Sequence, residues 1–146
     1  MNDTLTFEEH EDKGRGKFAR NCTIAYEFNR DKYGFCDVST TGHGKTFNIE
    51  LKDRDIEYNK YPDYWLEKIK YDALIAAYME TGSLPIYLNF FRNNIGFYWN
   101  LLKLKEPKWV WRQATATTAD GTYGKEKVWK QVTFVTPEQG RKFKYE

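Results

Sequence analysis

Three short stretches near the start of the chain alternate apolar and polar residues, which predicts three β-strands. These strands cover residues 22–29, 33–38 and 47–52. Residues 39–45 contain two glycines and predict a hairpin connection between the second and third strands. A charged segment, residues 4–20, precedes all three and predicts a helix or a helix followed by a loop, because Gly14 and Gly16 weaken its second half. The chain therefore begins with a helix and three strands that can form a meander.

The hydrophobic period changes after a polar loop, residues 53–62. From residue 64 to residue 81 the apolar positions recur at helical spacing, at Leu66, Ile69, Ala73, Ala76 and Met79. Gly82 is placed to end this helix, because glycine adopts the left-handed conformation without strain. Residues 84–91 are almost continuously apolar, as is typical of a strand buried on both faces. A strand–helix–strand crossover of this kind predicts an α/β (α+β) fold with a mixed sheet.

The last third of the chain is rich in further strand candidates. Asn93 and Asn94 predict a turn into a strand over residues 96–102, and two more strands are expected over residues 109–117 and 128–135. Residues 136–139 carry a helix-start signature with threonine as cap and proline first. We expect one domain over residues 1–146, with a core over about 4–91 and a β-rich C-terminal extension over about 92–146.

Composition narrows the class of protein. The chain has 146 residues, is 40% hydrophobic and 18% aromatic, and so differs from disordered chains, which lack aromatic residues. No apolar run is long enough to cross a bilayer, and the acidic, polar N-terminal segment is unlike a secretory signal. Cys22 and Cys36 lack a CxxC spacing, so we expect small, reduced, buried thiols in a cytoplasmic protein. The net charge of +2 neither supports nor excludes a nucleic-acid partner.

One cluster of residues carries potential chemistry. Glu50 and Lys52 lie two apart on the third strand and so point to the same side, opposite the apolar alternate positions. Asp37 falls at the end of the second predicted strand, where pairing can bring it near Glu50. Two converging carboxylates suit Mg²⁺ or Mn²⁺, and a neighbouring lysine can position or deprotonate water and stabilise phosphate charge. This arrangement predicts metal-dependent phosphodiester hydrolysis.

The triplet alone has little specificity. An ExK pattern arises about once by chance in a chain of this composition, and a second copy occurs at Glu106-Pro107-Lys108, where proline argues against a paired inner strand. Glu50 and Lys52 are therefore open to a second interpretation, an ion pair on a solvated sheet face. In that case Asp37 and Glu50 would lie on opposite faces of the sheet.

The order of elements distinguishes these interpretations. Helix, strand, strand ending in Asp37, strand carrying Glu50-Leu51-Lys52, helix and strand together resemble the PD-(D/E)xK nuclease superfamily, with its restriction-endonuclease-like core (αβββαβ), over residues 4–91. The run from Glu50 to Arg54, the tyrosine-rich loop and Lys70-Tyr71-Asp72-Ala73-Leu74 look like phage and mobile-element members of that group. One departure is Cys36, which stands where the family's proline usually precedes the first aspartate.

The resemblance implies roles for individual residues. Asp37 and Glu50 would hold the metal, Lys52 would assist the water, and Lys70 on the following helix would face the active site, with Lys68 as its competitor. The family's first, helical acid is not fixed: the candidates are Glu8, Glu9 and Glu11, with Glu27 on the first strand as a fourth. Weaker candidates for substrate binding are Lys68, Arg54 and Lys60.

The resemblance further implies DNA as substrate, no membrane association, and the cytoplasm, or the host cytoplasm for a phage protein, as the location. It does not distinguish DNA from RNA as the substrate, and it does not distinguish a monomer from a homodimer. The alternative function is a catalytically inactive nuclease-like fold that binds DNA or a protein. That alternative draws support from Trp99, Trp109, Trp111 and Trp129, which lie among lysines and arginines. For these tryptophans, core and strand-edge packing is the favoured interpretation. His10 and His43 are expected to be ordinary histidines, His43 in an exposed loop.

Overall fold

The structure, a computed structural model, describes residues 7–29, 36–117 and 123–146. Within helix and strand segments, the side chains of residues 7–11, 115–117 and 123–126 are outside this description. In chain order the helices and strands are α1 (Phe7–Asn21), β1 (Ala25–Phe28), β2 (Val38–Gly42), β3 (Lys45–Asp53), β4 (Tyr64–Glu67), α2 (Lys68–Thr81), β5 (Leu84–Phe90), β6 (Ile95–Asn100), β7 (Val110–Thr117), β8 (Tyr123–Val135) and β9 (Arg141–Lys144). Two short 3₁₀ helices, Leu101–Lys103 and Pro137–Gln139, complete the set.

A mixed sheet forms the centre of the molecule, with strand order β1-β2-β3-β5-β6-β9. β3 and β5 are parallel and joined through α2, whereas the other neighbours are antiparallel. The α/β (α+β) class predicted from the sequence is confirmed. The predicted order helix, three strands, helix, strand differs from the structure in one element, since a fourth strand, β4, lies between β3 and α2. β6 and β9, which come after residue 91, belong to the same sheet as β1, β2, β3 and β5.

Both faces of this sheet are covered. On one face Phe18 of α1 packs with Ile49 and Leu51 of β3, and an ion pair between Lys17 and Asp53 also ties α1 to β3. On the other face Leu74 of α2 packs with Leu66 of β4 and with core residues of β5, β6 and β8. The polar alternate positions of β3, including Glu50, therefore face the side on which α2 lies.

The second predicted strand was placed too early in the chain. Residues 33–35, half of that prediction, lie outside the described residues, and β2 instead covers Val38–Gly42. The serine and threonines assigned to a connection are thus strand residues, because β-branched threonine suits a strand as well as a polar loop. The connection itself is only His43-Gly44, with φ of 53° and 74°. A two-residue turn with positive φ at both positions matches the twist of the two strands it joins.

The predicted helix over residues 64–81 is correct only from Lys68 onward. Tyr64–Glu67 forms the strand β4, in which Tyr64 and Leu66 are buried and alternate with half-buried neighbours. The predicted apolar stripe was wrong, since Ile69 and Met79 are 74% and 77% exposed, whereas Leu74 is fully buried. Gly82 ends the helix with φ of 79°, as expected.

A second sheet, of order β4-β8-β7, contacts α2. β7 and β8 confirm the two strands predicted beyond residue 108, and β8 begins five residues earlier than predicted. Asn93 and Asn94, with φ of 62° and 57°, make the predicted turn before β6. The helix-start signature at residues 136–139 gives one 3₁₀ turn, in which the Thr136 backbone N–H donates to Gln139 Oε1. β9 was not predicted, because four residues with one apolar position carry no clear period.

The edge strand β9 depends on a close approach at Gly96. The Phe143 ring of β9 lies directly over Gly96, in the space that any Cβ atom would occupy. We expect Gly96→Ala to lower the free energy of unfolding by about 1–3 kcal/mol, because the ring must be displaced from a packed cluster. Urea denaturation checks this value, with Gly44→Asn, in an open turn, as a control expected to cost less. An unchanged midpoint for Gly96→Ala would contradict the packing.

Within the described residues, neither helix has the length and apolar character needed to cross a membrane.

Candidate active site

Asp37 is held against β3 immediately before β2 begins. Its backbone N–H donates to the Ile49 carbonyl (2.9 Å), and its side-chain Oδ2 accepts from the Leu51 backbone N–H (2.7 Å). These two bonds bracket Glu50. The sequence placed Asp37 at the end of a strand; the structure places it at the start of one, and in both cases beside Glu50.

Glu50 is buried in the middle of β3, at 4% exposure. Burial penalises its charged form and the Asp37 carboxylate repels that charge, which together raise the pKa of Glu50 to about 8. Lys70 and Lys52 act in the opposite direction and lower it. The side chains of Asp37 and Glu50 are therefore close enough to interact directly, on the same side of the sheet. The interpretation that places them on opposite faces of the sheet is wrong.

Lys70 approaches this pair from α2. Its Nζ lies 3.8 Å from Glu50 Oε1, and its side chain is 31% exposed. The sequence selected Lys70 for its position beside Ile69 and Ala73, but Ile69 points to solvent. Lys70 faces the sheet because Leu74, one turn later, is the buried residue of this helix.

Lys52 lies next to Glu50 on the same side of β3 and is half-buried. Burial by itself would lower the pKa of Lys52, but the opposing effects of Tyr87, Glu50 and Glu67 exceed it, and the pKa is raised. Lys52 is therefore a cation at neutral pH. A permanent positive charge suits the stabilisation of phosphate charge better than the removal of a proton from water.

The donor set fits a hard divalent cation. In the described part of the chain, no three His, Cys, Asp or Glu side chains lie close enough together to hold a metal ion, so Asp37 and Glu50 form a two-carboxylate set. Mg²⁺ commonly takes one or two carboxylates and completes its octahedron with water and substrate phosphate. Glu50 Oε2 is buried without a hydrogen-bond partner, which is costly unless something binds it.

Two residues near this site had not been singled out from the sequence. Glu67 ends β4 and pairs with Lys130 of β8 (2.5 Å), and Lys130, Lys52 and Lys70 together lower its pKa against the effect of burial. Asn89 is opposite Lys52 in the parallel register, fully buried, with an amide nitrogen lacking a partner. The alternation of Tyr64 and Leu66 could have revealed the strand that carries Glu67.

The three residues proposed for substrate binding have different surroundings. Arg54 donates to Asn89 and to the Tyr87 hydroxyl (2.9 Å), and its guanidinium lies 5.1 Å from the Tyr64 ring. These contacts give Arg54 a role in joining β3 to its neighbours. Lys68 pairs with Asp72 (2.5 Å) on α2 and lies 5.7 Å from the Trp109 ring, whereas Lys60 is exposed beside Tyr61.

The remaining candidates lie away from the described cluster or outside the described residues. Glu8, Glu9 and Glu11 are on α1, but their side chains lie outside the described part, as does that of His10. Glu27 is exposed on β1, opposite Ser39. His43 is exposed in its turn. Both cysteines are free; Cys36 is buried, and burial raises the pKa of its thiol.

Comparison with known proteins shows a similarity of fold. No protein-family model and no curated protein matches the sequence. The fold is similar to that of Hjc, a Holliday junction resolvase from the archaeal hyperthermophile Archaeoglobus fulgidus, with a TM-score of 0.53 and 12% sequence identity. The match covers 92% of this chain and 87% of that one. The restriction-endonuclease-like fold expected from the sequence is therefore confirmed, and the similarity extends well beyond residues 4–91.

Proposed function

We propose that this protein is a metal-dependent nuclease that hydrolyses phosphodiester bonds in DNA. The observation that carries the proposal is the meeting of Asp37, Glu50 and Lys70 in one cluster, beside Lys52 on the same face of β3. Its fold supports the proposal, since Hjc, which shares it, is a resolvase of DNA junctions. Mg²⁺ or Mn²⁺ is the proposed metal, on the chemistry of two carboxylates.

The acidic and the basic residues of the site would have different roles. Asp37 and Glu50 would hold the divalent cation, which when bound lowers the pKa of water and polarises the phosphodiester. Lys52 is half-buried and stays a cation because its pKa is raised. It would bind the phosphate oxygen on which negative charge develops. Lys70 would contact phosphate or buttress the Glu50 carboxylate, to which it already lies close. Because α2 lies over the side of β3 that carries Glu50 and Lys52, it limits the access of water to these charges.

The test combines metal binding with cleavage. We expect calorimetric titration to show Mn²⁺ binding at micromolar to millimolar concentration, and DNA cleavage to require the metal and stop in EDTA. Asp37→Asn should weaken metal binding at least about tenfold, because one of two charged ligands becomes neutral. Asp72→Asn, on the exposed side of α2, is the matched control and should bind metal normally. Absence of metal binding with retained DNA binding would favour the inactive nuclease-like fold instead.

A further inference from the structure

Two tryptophans of the second sheet are unexpectedly exposed. Trp111 of β7 is 57% exposed and Trp129 of β8 is 62% exposed. Core and strand-edge packing, the interpretation favoured from the sequence, describes Trp99, which is 1% exposed and donates its indole N–H to the Thr136 carbonyl. Trp111 lies on the edge strand β7 and Trp129 on β8, and neither ring is packed in the core. Exposed apolar side chains that lie together mark binding surfaces, whereas single exposed ones are common.

The two rings share one face of the β7–β8 hairpin. Trp111 pairs with Gln131, and Gln113 pairs with Trp129, in the antiparallel register. Residues two apart on a strand point to the same side, so Trp111 and Trp129 are diagonal neighbours with Cβ atoms roughly 7–8 Å apart. The two indoles therefore lie on one face of the hairpin, which we call the Trp111/Trp129 face.

The hairpin extends beyond the strand that anchors it. β4 pairs only with residues 132–135 of β8, so Trp129 and Trp111 lie on the part where β7 and β8 pair only with each other. Residues 108–114 and 127–135 contain Lys108, Arg112, Lys127 and Lys130 and no acidic residue. By strand alternation Lys127 shares the face of Trp129, whereas Arg112 and Lys130 point to the opposite face, where Lys130 pairs with Glu67. Exposed aromatic rings with a cation beside them complement the bases and phosphates of a nucleic acid.

The base of the hairpin is attached to the candidate active site. Trp109 contacts the Tyr71 ring edge-on (centroids 5.2 Å apart), and Tyr71 follows Lys70 on α2. Lys130 pairs with Glu67, whose pKa responds to the charges of Lys52 and Lys70. Along the hairpin, Trp109 therefore lies nearer to α2 than Trp111 and Trp129 do.

We propose that the Trp111/Trp129 face binds unpaired bases of the DNA substrate by stacking. The inference rests on the proposed nuclease function for its choice of DNA, and it narrows the substrate to DNA with single-stranded or unpaired positions. Base pairs inside a duplex are already stacked on one another and offer only edges and phosphates, so two exposed indole faces gain little from them. Unpaired bases expose their π-faces, and tryptophan binds those without regard to sequence.

The test measures binding without cleavage. In EDTA, fluorescence anisotropy compares a labelled single-stranded oligonucleotide with the fully paired duplex of the same sequence. We expect Trp111→Ala and Trp129→Ala each to weaken single-strand binding about 5- to 150-fold, and to leave duplex binding within about twofold. Trp111→Phe, which keeps a smaller aromatic face, should recover much of the loss. Met79→Ala, at 77% exposure on α2, controls for loss of an exposed apolar side chain.

Three outcomes would overturn the inference: unchanged single-strand binding in both alanine variants, equal losses on single strand and duplex, or a dimer in sedimentation that Trp111→Ala dissociates while binding is unchanged. The last outcome would assign the face to a second copy of the chain. The stacking proposal and the nuclease proposal can fail independently, because the binding assay is done in EDTA and requires neither metal nor cleavage. Tryptophan-dependent single-strand binding without any cleavage would retain the stacking face and reject the enzyme.

Discussion

Glu50→Gln is expected to abolish metal-dependent cleavage and, in metal-free buffer, to raise the melting temperature. Loss of a charged metal ligand removes several kcal/mol of transition-state stabilisation, so we expect cleavage to fall ~1,000-fold or more. Stability should rise because glutamine fills the same space without placing a second acid beside Asp37 in a buried position. Each kcal/mol gained corresponds to about 2–4 °C in a chain of this size.

The stability gain should depend on pH in a defined direction. Below the ordinary pKa of glutamate, 4.5, Glu50 is protonated in both the folded and the unfolded protein, and the variant has no advantage. Between pH 4.5 and about 8 the unfolded protein loses this proton and the folded protein retains it, so the wild type is progressively destabilised. The advantage of Glu50→Gln should therefore grow over this range and level off above it. Thermal melts in EDTA at several pH values measure the difference.

A matched control separates burial from charge. Glu80→Gln removes the same charge from an exposed position at the end of α2, and should alter neither cleavage nor melting temperature. Full cleavage by purified Glu50→Gln would reject the site. A lower melting temperature for that variant at pH 8, with cleavage lost, would mean that Glu50 serves the fold as well as the metal.

The sequence predicted the arrangement around Glu50 because strand alternation is a strong local signal. Phe47, Ile49 and Leu51 alternate with polar residues whatever the neighbours are, and this alternation assigns Glu50 and Lys52 to one face. Asp37 was predicted next to Glu50 even though its strand was misplaced. A connection of only two residues, His43-Gly44, still brings residue 37 opposite residues 49–51, because the antiparallel register compensates for the longer strand.

The sequence did not predict those features of the structure that depend on tertiary contacts. Tyr64–Glu67 has the apolar content of either a strand or a helical turn, and its pairing with β8, some 70 residues later, selects the strand. That pairing brings Glu67 toward Lys52 and Lys70, which no local pattern reveals. Trp111 and Trp129 are a further case: the sequence favoured core and strand-edge packing for them, and in the described structure both rings are largely exposed.

Lys52→Met is expected to lower cleavage about 100- to 1,000-fold while leaving metal binding intact. One preorganised donor at the developing charge commonly contributes this much. Removal of Lys52 has two opposing effects on metal binding, since it removes repulsion toward a divalent ion and also raises the pKa of the ligand Glu50, so we expect little change in Mn²⁺ affinity. Single-turnover cleavage with saturating metal and calorimetric titration measure the two effects separately. Glu50→Gln should impair both, which distinguishes a ligand from a charge-stabilising residue.

The arginine substitution makes the test of Lys52 more specific. Lys52→Arg keeps the charge but replaces a compact ammonium with a planar group that must fit next to Asn89 and Tyr87, so we expect partial activity, above Lys52→Met and below wild type. Lys45→Met, an exposed lysine at the start of the same strand and roughly 23 Å away along it, should cleave normally. Equal cleavage by Lys52→Met and Lys45→Met would assign Lys52 to the fold and leave the phosphate charge to Lys70. Cleavage lost together with Mn²⁺ binding in Lys52→Met would mean that this lysine orders the carboxylates, a positioning role that acts before any phosphate is bound.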